Sequence, residues 1–249
     1  MRTVTVKSAA RILDILELLT GVRGSIGVNE LARRLGVPKS STSALVATLT
    51  GRGYLVSGAD GVQLAEAYRG NGWVGGATAD LLRQARPAME RLSRQTGESC
   101  FLGLPTPTFE VQYADKVVSE SALRYDADLA LVRPAYCTTI GWVLLAGLAA
   151  AELDRYFDGR QLIRLTPKTV TDEARIRSGV AEARRNGYAT MTDSHVLGTS
   201  GVAAPVRRHG RVVAGLAVIA PRERFASQAA RHVESTVATA GELSRALAP

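Results

Sequence analysis

The stretch that decides the fold of the first part of the chain runs from Asn29 to Thr50 and has the sequence NELARRLGVPKSSTSALVATLT. Its first segment, about Asn29 to Leu35, has apolar residues at helical spacing. Gly36 supplies the left-handed backbone conformation that ends such a helix, and Pro38 restarts the chain. A further helix is predicted from about Lys39 to Arg52, because its leucine and valine residues share one face. Two short helices joined by a tight turn are therefore predicted.

The segments on both sides of this pair have regular patterns of their own. From Ser8 to Thr20 apolar residues recur at three- and four-residue spacing, which predicts an amphipathic helix with Ser8 as its N-cap. After the pair, Tyr54–Val56 and Val62–Leu64 flank the turn-forming segment Ser57–Gly61, which is typical of a β-hairpin. Three helices followed by a hairpin predict a winged helix-turn-helix.

The start of the third helix has the composition of a helix that contacts DNA. An α-helix fits the major groove, where its N-terminal residues reach base edges while hydroxyl groups, amides and cations contact phosphates. Five of the six residues in Pro38–Ser43 carry side-chain donors. The candidate DNA-binding residues are Arg33, Arg34, Lys39, Ser40, Ser41, Thr42, Ser43, Thr48 and Arg52. The alternative is that these hydroxyl groups cap the helix and face water. The hairpin segment Ser57–Gly61 has one acid and no base, so an arginine inserted into the minor groove is not predicted there.

The distribution of charge agrees with this interpretation. The 249 residues include 31 Lys and Arg against 23 Asp and Glu, a formal net charge of +8. Residues 1–69 hold nine Lys and Arg against five Asp and Glu, and residues 70–249 hold 22 against 18, so each part carries +4. Because the first part is less than half as long as the second, its positive charge is denser, as expected of a phosphate-binding module.

A glycine-rich segment indicates a domain boundary. Residues Gly70–Gly76 include four glycines, which break any helix. We predict a winged helix-turn-helix at 1–69, a linker and linker helix at 70–97, and a second domain at 98–249.

The longest apolar stretch, Trp142–Ala151, is half as long as a bilayer-spanning helix requires, and no signal-peptide pattern is present. We therefore expect a cytoplasmic protein, without membrane association, whose two cysteines are reduced.

Strand and helix patterns follow one another in the second part. A helical stripe from Leu81 to Gly97 tolerates Pro87 as a kink or restart. Strands are predicted at Ser99–Leu104, Phe109–Lys116, Tyr188–Thr192, Gly201–Arg207 and Arg211–Ala220, and helices at Thr138–Leu148, Ala150–Phe157, Asp172–Asn186 and Glu223–Leu247. Strands with helices packed against them predict an α+β domain.

Two groups of motifs occur in this chain in the order in which one known family has them. The first group is Ser8–Leu16, Asn29–Ser41, Thr48–Leu49 and Gly53–Leu55, and the second is Gly187–Ala189, Gly198, Ala203–Val206 and Gly210–Ala214. On these motifs the chain resembles the IclR-type bacterial transcriptional regulators over nearly its whole length. The resemblance implies an α+β effector-binding domain similar to GAF and PAS sensors, a homodimer or dimer of dimers, and double-stranded operator DNA as the partner. Ser43–Ala44 stands where many members carry an arginine or another large polar residue, so an operator sequence does not transfer.

The resemblance also implies a pocket for a small organic acid. In the family a helix that begins at the segment matching Cys137–Gly141 closes the pocket. Exposed amides at a helix start attract a carboxylate, and two threonine hydroxyl groups add donors here; an ordinary capped helix is the alternative. The candidate effector contacts are Phe101, Tyr113, Tyr125, Arg133, Thr138, Thr139, Ile140, Gly141, Asp193, Gly198, Gly201, Ala217 and Ile219.

Three of these positions predict the kind of ligand. Relatives that bind very small ketoacids carry a cysteine and two serines where this chain has Gly201, Ala217 and Ile219, which indicates a roomier and more apolar pocket. We therefore expect a small aromatic or hydrophobic carboxylic acid, with Arg133 as a partner of its carboxylate and the three aromatic candidates stacking on its ring. The alternatives are that Arg133 is a solvated surface residue and that the aromatic residues belong to the core.

Residues that suggest catalysis are few. A nucleophile needs a histidine and an orienting acid, and His195 near Asp193 is the one pair that qualifies for consideration, since His209 is predicted in a turn and His232 in a helix. Nothing around Cys137 matches a nucleophile motif, and the sequence has no phosphate-binding loop or cluster with metal-ligand spacing. The resemblance implies a regulator of a catabolic operon, a repressor with activation as the alternative, and we expect it to hold no metal or cofactor. The alternative from another class is a small-molecule-processing enzyme with a basic N-terminal interaction domain.

Overall fold

A computed structural model describes residues 6–20, 22, 24–58, 60–65 and 76–247. The chain divides into two compact units, Met1–Leu81 and Leu82–Pro249, and the division falls inside helix α4, Gly76–Thr96. This helix is the predicted linker helix, and it is continuous through Pro87. The predicted linker lies outside the described residues except for Gly76, so the boundaries at 69 and 97 stay a prediction.

The first unit is the winged helix-turn-helix that the sequence predicts. Its elements are α1 Lys7–Thr20, α2 Val28–Leu35, α3 Lys39–Gly51, β1 Leu55–Gly58 and β2 Gly61–Leu64. Strands β1 and β2 pair antiparallel, and Ile26 joins them through two backbone hydrogen bonds of 2.9 Å with Val62. One prediction is wrong: α1 begins at Lys7, so Ser8 lies inside the helix instead of capping it.

The apolar faces of these helices meet in one core. Its buried members are Ile15, Leu16 and Leu19 of α1, Leu31 of α2, Val46 and Leu49 of α3, and Ile26, Leu55, Val62 and Leu64 around the hairpin. Burying a side chain of this size stabilises the fold by about 1.5 to 3 kcal/mol. Each helix keeps its opposite face exposed, and this arrangement fixes which residues of α3 reach the surface.

The second unit is built on a six-stranded antiparallel sheet. Its strands are β3 Ser99–Pro105, β4 Val111–Val117, β5 Val132–Arg133, β6 Ala189–Thr192, β7 Thr199–Arg208 and β8 Arg211–Pro221, in the order β5-β4-β3-β8-β7-β6. Its further helices are α5 Thr139–Ala146, α6 Ala150–Phe157, α7 Glu173–Asn186, α8 Arg222–Ser227 and α9 Ala229–Ala246. The prediction of a single helix at Glu223–Leu247 is wrong, because the backbone leaves the helical conformation at Gln228, where φ is −133°. No helix of the described part is long and apolar enough to cross a membrane.

Helix α5 packs closely on the sheet because two strands have glycine beneath it. Gly103 of β3 and Gly215 of β8 are partners in the sheet register. A Cβ atom on Gly103 would lie 2.7 Å from Ile140 Cγ2, and one on Gly215 would lie 2.9 Å from the same atom. The missing side chains therefore let the first turn of α5 rest against the strands. Helix α7 packs on α5, and α9 packs against β7 and β8.

Candidate functional site

Helix α3 presents an exposed face of small side chains. Its inward residues are Thr42, Val46 and Leu49, at a spacing of four and three. The exposed residues of the helix are Lys39, Ser40, Ser43, Ala44, Ala47, Thr48 and Gly51. After the first residue, no side chain of this exposed set is larger than threonine. Such a face allows close approach of the helix backbone to a partner and offers hydroxyl groups as donors and acceptors.

The turn between α2 and α3 sets the angle at which α3 is held. Gly36 has a φ of 62°, a left-handed conformation that glycine adopts without steric cost. Its N–H group donates to Arg33 O, and the N–H group of Val37 donates to Ala32 O at 3.1 Å. These bonds satisfy carbonyl groups at the end of α2, and the chain then enters α3 after Pro38.

Seven of the nine predicted DNA-binding residues are exposed: Arg33, Arg34, Lys39, Ser40, Ser43, Thr48 and Arg52. Ser41 is half-buried. The prediction for Thr42 is wrong, because this residue has no exposed surface and its hydroxyl group donates to Pro38 O at 3.2 Å. Thr42 belongs to the packing between α3 and the core.

The two arginines of α2 share one carboxylate. Arg33 donates to Glu30 Oε2 through Nε and Nη2, and Arg34 donates to Glu30 Oε1 at 2.8 Å. These hydrogen bonds, Arg34 first, lower the pKa of Glu30 from its ordinary value. Exposed pairs of this kind add little stability. The trio keeps a net charge of +1 close to α3.

A cavity lies in the second unit, between the start of α5 and the sheet. Its empty volume is about 380 Å³, counting the part that is open to solvent. The lining residues are Tyr113, Tyr125, Cys137, Thr138, Thr139, Met191, Ser194, His195, Val196, Thr199, Ser200, Gly201 and Ile219. Six predicted effector contacts are among them: Tyr113, Tyr125, Thr138, Thr139, Gly201 and Ile219. The structure therefore brings residues from distant parts of the sequence to one concave site.

Seven predicted contacts do not line this cavity: Phe101, Arg133, Ile140, Gly141, Asp193, Gly198 and Ala217. Phe101 is fully buried, with its ring centroid 5.0 Å from that of Tyr113 and 5.5 Å from that of Tyr125. Ile140 faces the glycines of the sheet, and Gly141 donates its N–H group to Thr138 Oγ1 at 3.1 Å. Phe101, Ile140 and Gly141 therefore belong to the packing around the lining residues and do not face the cavity.

Arg133 does not offer its guanidinium group to the cavity. Its Nη1 donates to Leu131 O at 2.6 Å and its Nη2 to Asp128 O at 2.7 Å. Its Cζ atom lies 4.1 Å from the centroid of the Tyr113 ring, a cation–π contact, and only 5% of the residue is exposed. Contrary to the prediction of a direct partner for a ligand carboxylate, Arg133 is buried and does not line the cavity. Arg133 acts instead as a fixed positive charge behind Tyr113.

Asp193 shapes the loop beside the cavity. Its Oδ1 accepts the N–H group of Gly198 at 2.6 Å, and its Oδ2 accepts Arg222 Nη1 at 2.9 Å. The hydrogen bond with Arg222 is the main cause of a lowered pKa at Asp193. Asp193 is buried and does not line the cavity, contrary to the predicted contact, and both of its carboxylate oxygens hold the loop at 193–198.

The electrostatic character of the cavity is positive. No Asp, Glu, Lys or Arg is among its described lining residues. Burial raises the pKa of Tyr113 and Tyr125 and raises the pKa of Cys137 to about 12, so all three are neutral near pH 7. The positive charge near the cavity comes from the guanidinium group of Arg133 behind Tyr113. The N-terminus of α5 adds a partial positive charge. An anion of small size suits such a site.

Comparison with known proteins decides the family. The family described as "Bacterial transcriptional regulator IclR C-terminal" matches residues 77–245, and the "IclR helix-turn-helix domain" matches residues 8–58. The chain belongs to the IclR family of bacterial transcriptional regulators. It is 30% identical over 250 residues to the HTH-type transcriptional regulator XynR of Escherichia coli K12, with 97% of each chain covered. As a member of this family the protein is a DNA-binding regulator.

Solved structures agree with this family assignment. An IclR homologue from Microbacterium hydrocarbonoxydans, solved in complex with 4-hydroxybenzoate, is 25% identical, with 96% of this chain and 99% of that chain covered and a TM-score of 0.62. The IclR structure from Thermotoga maritima has a TM-score of 0.63 at 23% identity, with 97% and 98% covered, and shows the same fold. Among the described residues no group of His, Cys, Asp and Glu is arranged to hold a metal ion.

Sequence reasoning missed seven lining residues of this IclR-family pocket: Cys137, Met191, Ser194, His195, Val196, Thr199 and Ser200. Most of them lie on the loop between β6 and β7 and at its flanks. Thr166 and Thr169, more than twenty residues away in sequence, hold this loop, and Thr169 Oγ1 donates to Ser194 O at 2.6 Å. The sequence did contain one signal, because the pair Asp193 and Gly198 marks a tight loop. The position of this loop at the cavity depends on the long-range bonds from Thr166 and Thr169.

Proposed function

We propose that this IclR-family protein represses a catabolic operon and releases its operator when a small aromatic carboxylic acid fills the cavity. The observation that carries the proposal is the cavity itself. It is closed by the start of α5, has no carboxylate among its described lining residues, and lies beside the buried guanidinium group of Arg133. These are the features of a site that binds a small anion.

The winged unit supports sequence-specific binding of DNA. Helix α3 exposes Ser40 and Ser43 near its N-terminus, where a recognition helix contacts base edges, and Lys39 and Arg52 flank this face. One short helix contacts only a few base pairs. Useful specificity therefore requires paired half-sites about one helical turn apart or a multiple of it. We accordingly propose a homodimer or a dimer of dimers on a pseudo-palindromic operator.

The lining of the cavity favours an aromatic acid over a very small ketoacid. Gly201 brings no side chain to the cavity, and a Cβ atom there would crowd its surroundings, at 3.1 Å from Val218 O, 3.2 Å from Ile219 Cγ1 and 3.6 Å from Thr139 Oγ1. The rings of Tyr113 and Tyr125 and the side chain of Ile219 provide apolar contact area. The 4-hydroxybenzoate complex of the Microbacterium homologue supports the same class of ligand.

Helix α4 is the element that would couple the two events. It begins at Gly76 in the first unit and continues to Thr96 in the second. Occupation of the cavity would shift the population of the arrangements available to paired winged units, without adding a contact to DNA. The effector shifts this equilibrium only as far as its affinities for the two arrangements differ.

Thermal unfolding and DNA binding test the proposal together. We expect 4-hydroxybenzoate or benzoate to raise the melting temperature and to lower affinity for a labelled DNA fragment from upstream of the protein's own gene, measured by fluorescence anisotropy. Gly201→Ala, which narrows the cavity, should weaken both effects while its DNA affinity without ligand stays that of the wild type. If pyruvate or glyoxylate stabilises the protein and the benzoates do not, the proposed ligand class is wrong.

A further inference from the structure

Three of the seven hydroxyl groups among the lining residues form hydrogen bonds within the protein. Thr138 Oγ1 donates to Pro134 O at 3.2 Å while it accepts the N–H group of Gly141, and Thr199 Oγ1 donates to Val196 O at 2.7 Å. Ser200 Oγ shares a hydrogen bond of 2.9 Å with Thr192 Oγ1. All seven of these groups are neutral near pH 7, so none of them forms an ion pair with a carboxylate.

His195 is an exception among the lining residues. It is half-buried, and it is the only member of the described lining with a nitrogen that can carry a positive charge. The other nearby cation, Arg133, has both terminal nitrogens bonded to backbone carbonyl groups. A direct ion pair with an acidic ligand is therefore available from the imidazole ring and from no other lining side chain that the structure describes.

The loop that carries His195 is held in place on both sides. Asp193 at its start bonds Arg222 and the N–H group of Gly198, and Thr169 bonds the carbonyl group of Ser194. A histidine on a braced loop is pre-organised for one ligand position, so little conformational entropy is lost on binding.

We propose that His195 is the residue that binds the carboxylate of the effector and that it takes up a proton when the effector binds. This inference rests on the proposed function, since it assigns the recognition of the acid to one side chain and makes the recognition depend on pH. The residue would then set the preference of this cavity for acids over neutral compounds of the same shape.

The electrostatics of the empty cavity give the direction of the pH dependence. Burial first, and then the guanidinium group of Arg133, lower the pKa of His195 from 6.5, so the ring is neutral near pH 7 without ligand. A bound carboxylate adds a negative charge, which raises the pKa and favours the imidazolium form. Because the bound state then holds one more proton than the free state, affinity must rise as pH falls between the two pKa values.

The groups that surround His195 do not reverse this direction. From β4 and the following loop come Tyr113 and Tyr125, and from the turn before α5 comes Cys137, all neutral because burial raises their pKa values. Strand β5 brings Arg133. On the histidine's own loop Asp193 is paired with Arg222, and the remaining lining residues from α5, β6 and β7 are uncharged. Lys168 is a further cation near Asp193, and its charge also lowers the pKa of that carboxyl group.

Isothermal titration calorimetry on the full chain tests the inference, with benzoate and 4-hydroxybenzoate as the probes. Titrations run from about pH 6 to about pH 8, where the carboxylate stays ionised, and in two buffers of different ionisation enthalpy, which reports proton uptake. We expect affinity to increase towards pH 6 by up to about tenfold for each unit by which the carboxylate raises the pKa of His195. The variant H195Q should bind more weakly and without pH dependence. The matched control H209Q changes an exposed histidine in the β7–β8 turn and should behave as the wild type.

The outcomes separate this inference from the proposed function. If a benzoate binds without proton uptake, or H195Q keeps the affinity and pH dependence of the wild type, the assignment of His195 is overturned and the sensor function stands. If neither benzoate binds at any pH, the proposed function fails, and the inference fails with it. The melting temperature of H195Q without ligand should match that of H209Q, which shows that the variant is folded.

Discussion

Two adjacent residues of α3, Thr42 and Ser43, should have opposite roles although their side chains are chemically alike. Thr42 is fully buried against the core of the winged unit, and its hydroxyl group is bonded to Pro38 O. Ser43 lies on the exposed face. We predict that Thr42→Ala lowers stability without changing base preference, and that Ser43→Ala changes base preference without lowering stability.

The size of the Thr42→Ala effect follows from the lost contacts. Removal of the buried methyl group costs about 0.8 kcal/mol or somewhat more, and loss of the hydrogen bond costs about 0.5 to 1.5 kcal/mol. Pro38 O still accepts the N–H group of Thr42 at 3.0 Å, so no acceptor is left unpaired. The better helix propensity of alanine returns up to about 0.7 kcal/mol. The net loss is about 1 to 2 kcal/mol, which lowers the melting temperature of a unit of this size by about 4 to 16 °C.

Calorimetry and DNA competition measure the two effects separately. For Ser43→Ala we expect a change in stability of no more than about 0.5 kcal/mol and a loss of discrimination of about 1 kcal/mol, roughly fivefold, at one base pair of the operator. Competition between operator variants, followed by anisotropy, detects it. The reasoning is refuted if Thr42→Ala alters base preference with no loss of stability, or if Ser43→Ala leaves the preference unchanged at every position.

Three further results are expected. Replacement of exposed Lys39 by alanine should lower the slope of log affinity against log salt by about 0.9 and weaken binding to all sequences alike; an unchanged slope would show that Lys39 contacts no phosphate. Burial lowers the pKa of His232 from 6.5, so this residue binds a proton more readily in the unfolded chain, and stability is lost as pH falls through 6.5 towards the lowered value. Urea midpoints measured between about pH 8 and about pH 5.5 should therefore decrease, and less steeply in His232→Gln. Cys100 and Cys137 are buried thiols with raised pKa values, so a thiol reagent at about pH 8 should label them slowly in the native protein and rapidly after unfolding; fast native labelling would contradict their burial.

The sequence predicted the winged unit well because its signals are local. Three signals each act over a few residues: the helical spacing in α1, Gly36 at the turn and the hairpin pattern. Together they are compatible with one fold, the winged helix-turn-helix. The burial of Thr42 was also present in the pattern, since Thr42, Val46 and Leu49 follow one another at a spacing of four and three. The prediction failed there because a cluster of hydroxyl groups was interpreted as a uniformly exposed surface.

The cavity was less predictable because long-range contacts build it. Tyr113 and Gly201 line the same cavity although they lie on β4 and β7, which are three positions apart in the strand order. The role of Arg133 depends on two carbonyl groups that accept its donors, and neither bond leaves a signal in the sequence. His195 follows Asp193 and Ser194, whose backbone carbonyl groups accept hydrogen bonds from Thr166 and Thr169 of another loop. Strand β5 is only two residues long, too short for a periodic pattern.

Hydroxyl-radical footprinting of the DNA upstream of the protein's own gene tests the central claim most directly, with and without 4-hydroxybenzoate. The account predicts two protected half-sites with centres about 10 to 10.5 base pairs apart or a multiple of that spacing. Protection by the wild type should be lost when the acid is added and retained by Gly201→Ala under the same conditions. Uniform weak protection along the whole fragment, insensitive to the acid, would contradict the claim that this protein is a ligand-responsive regulator of a specific operator.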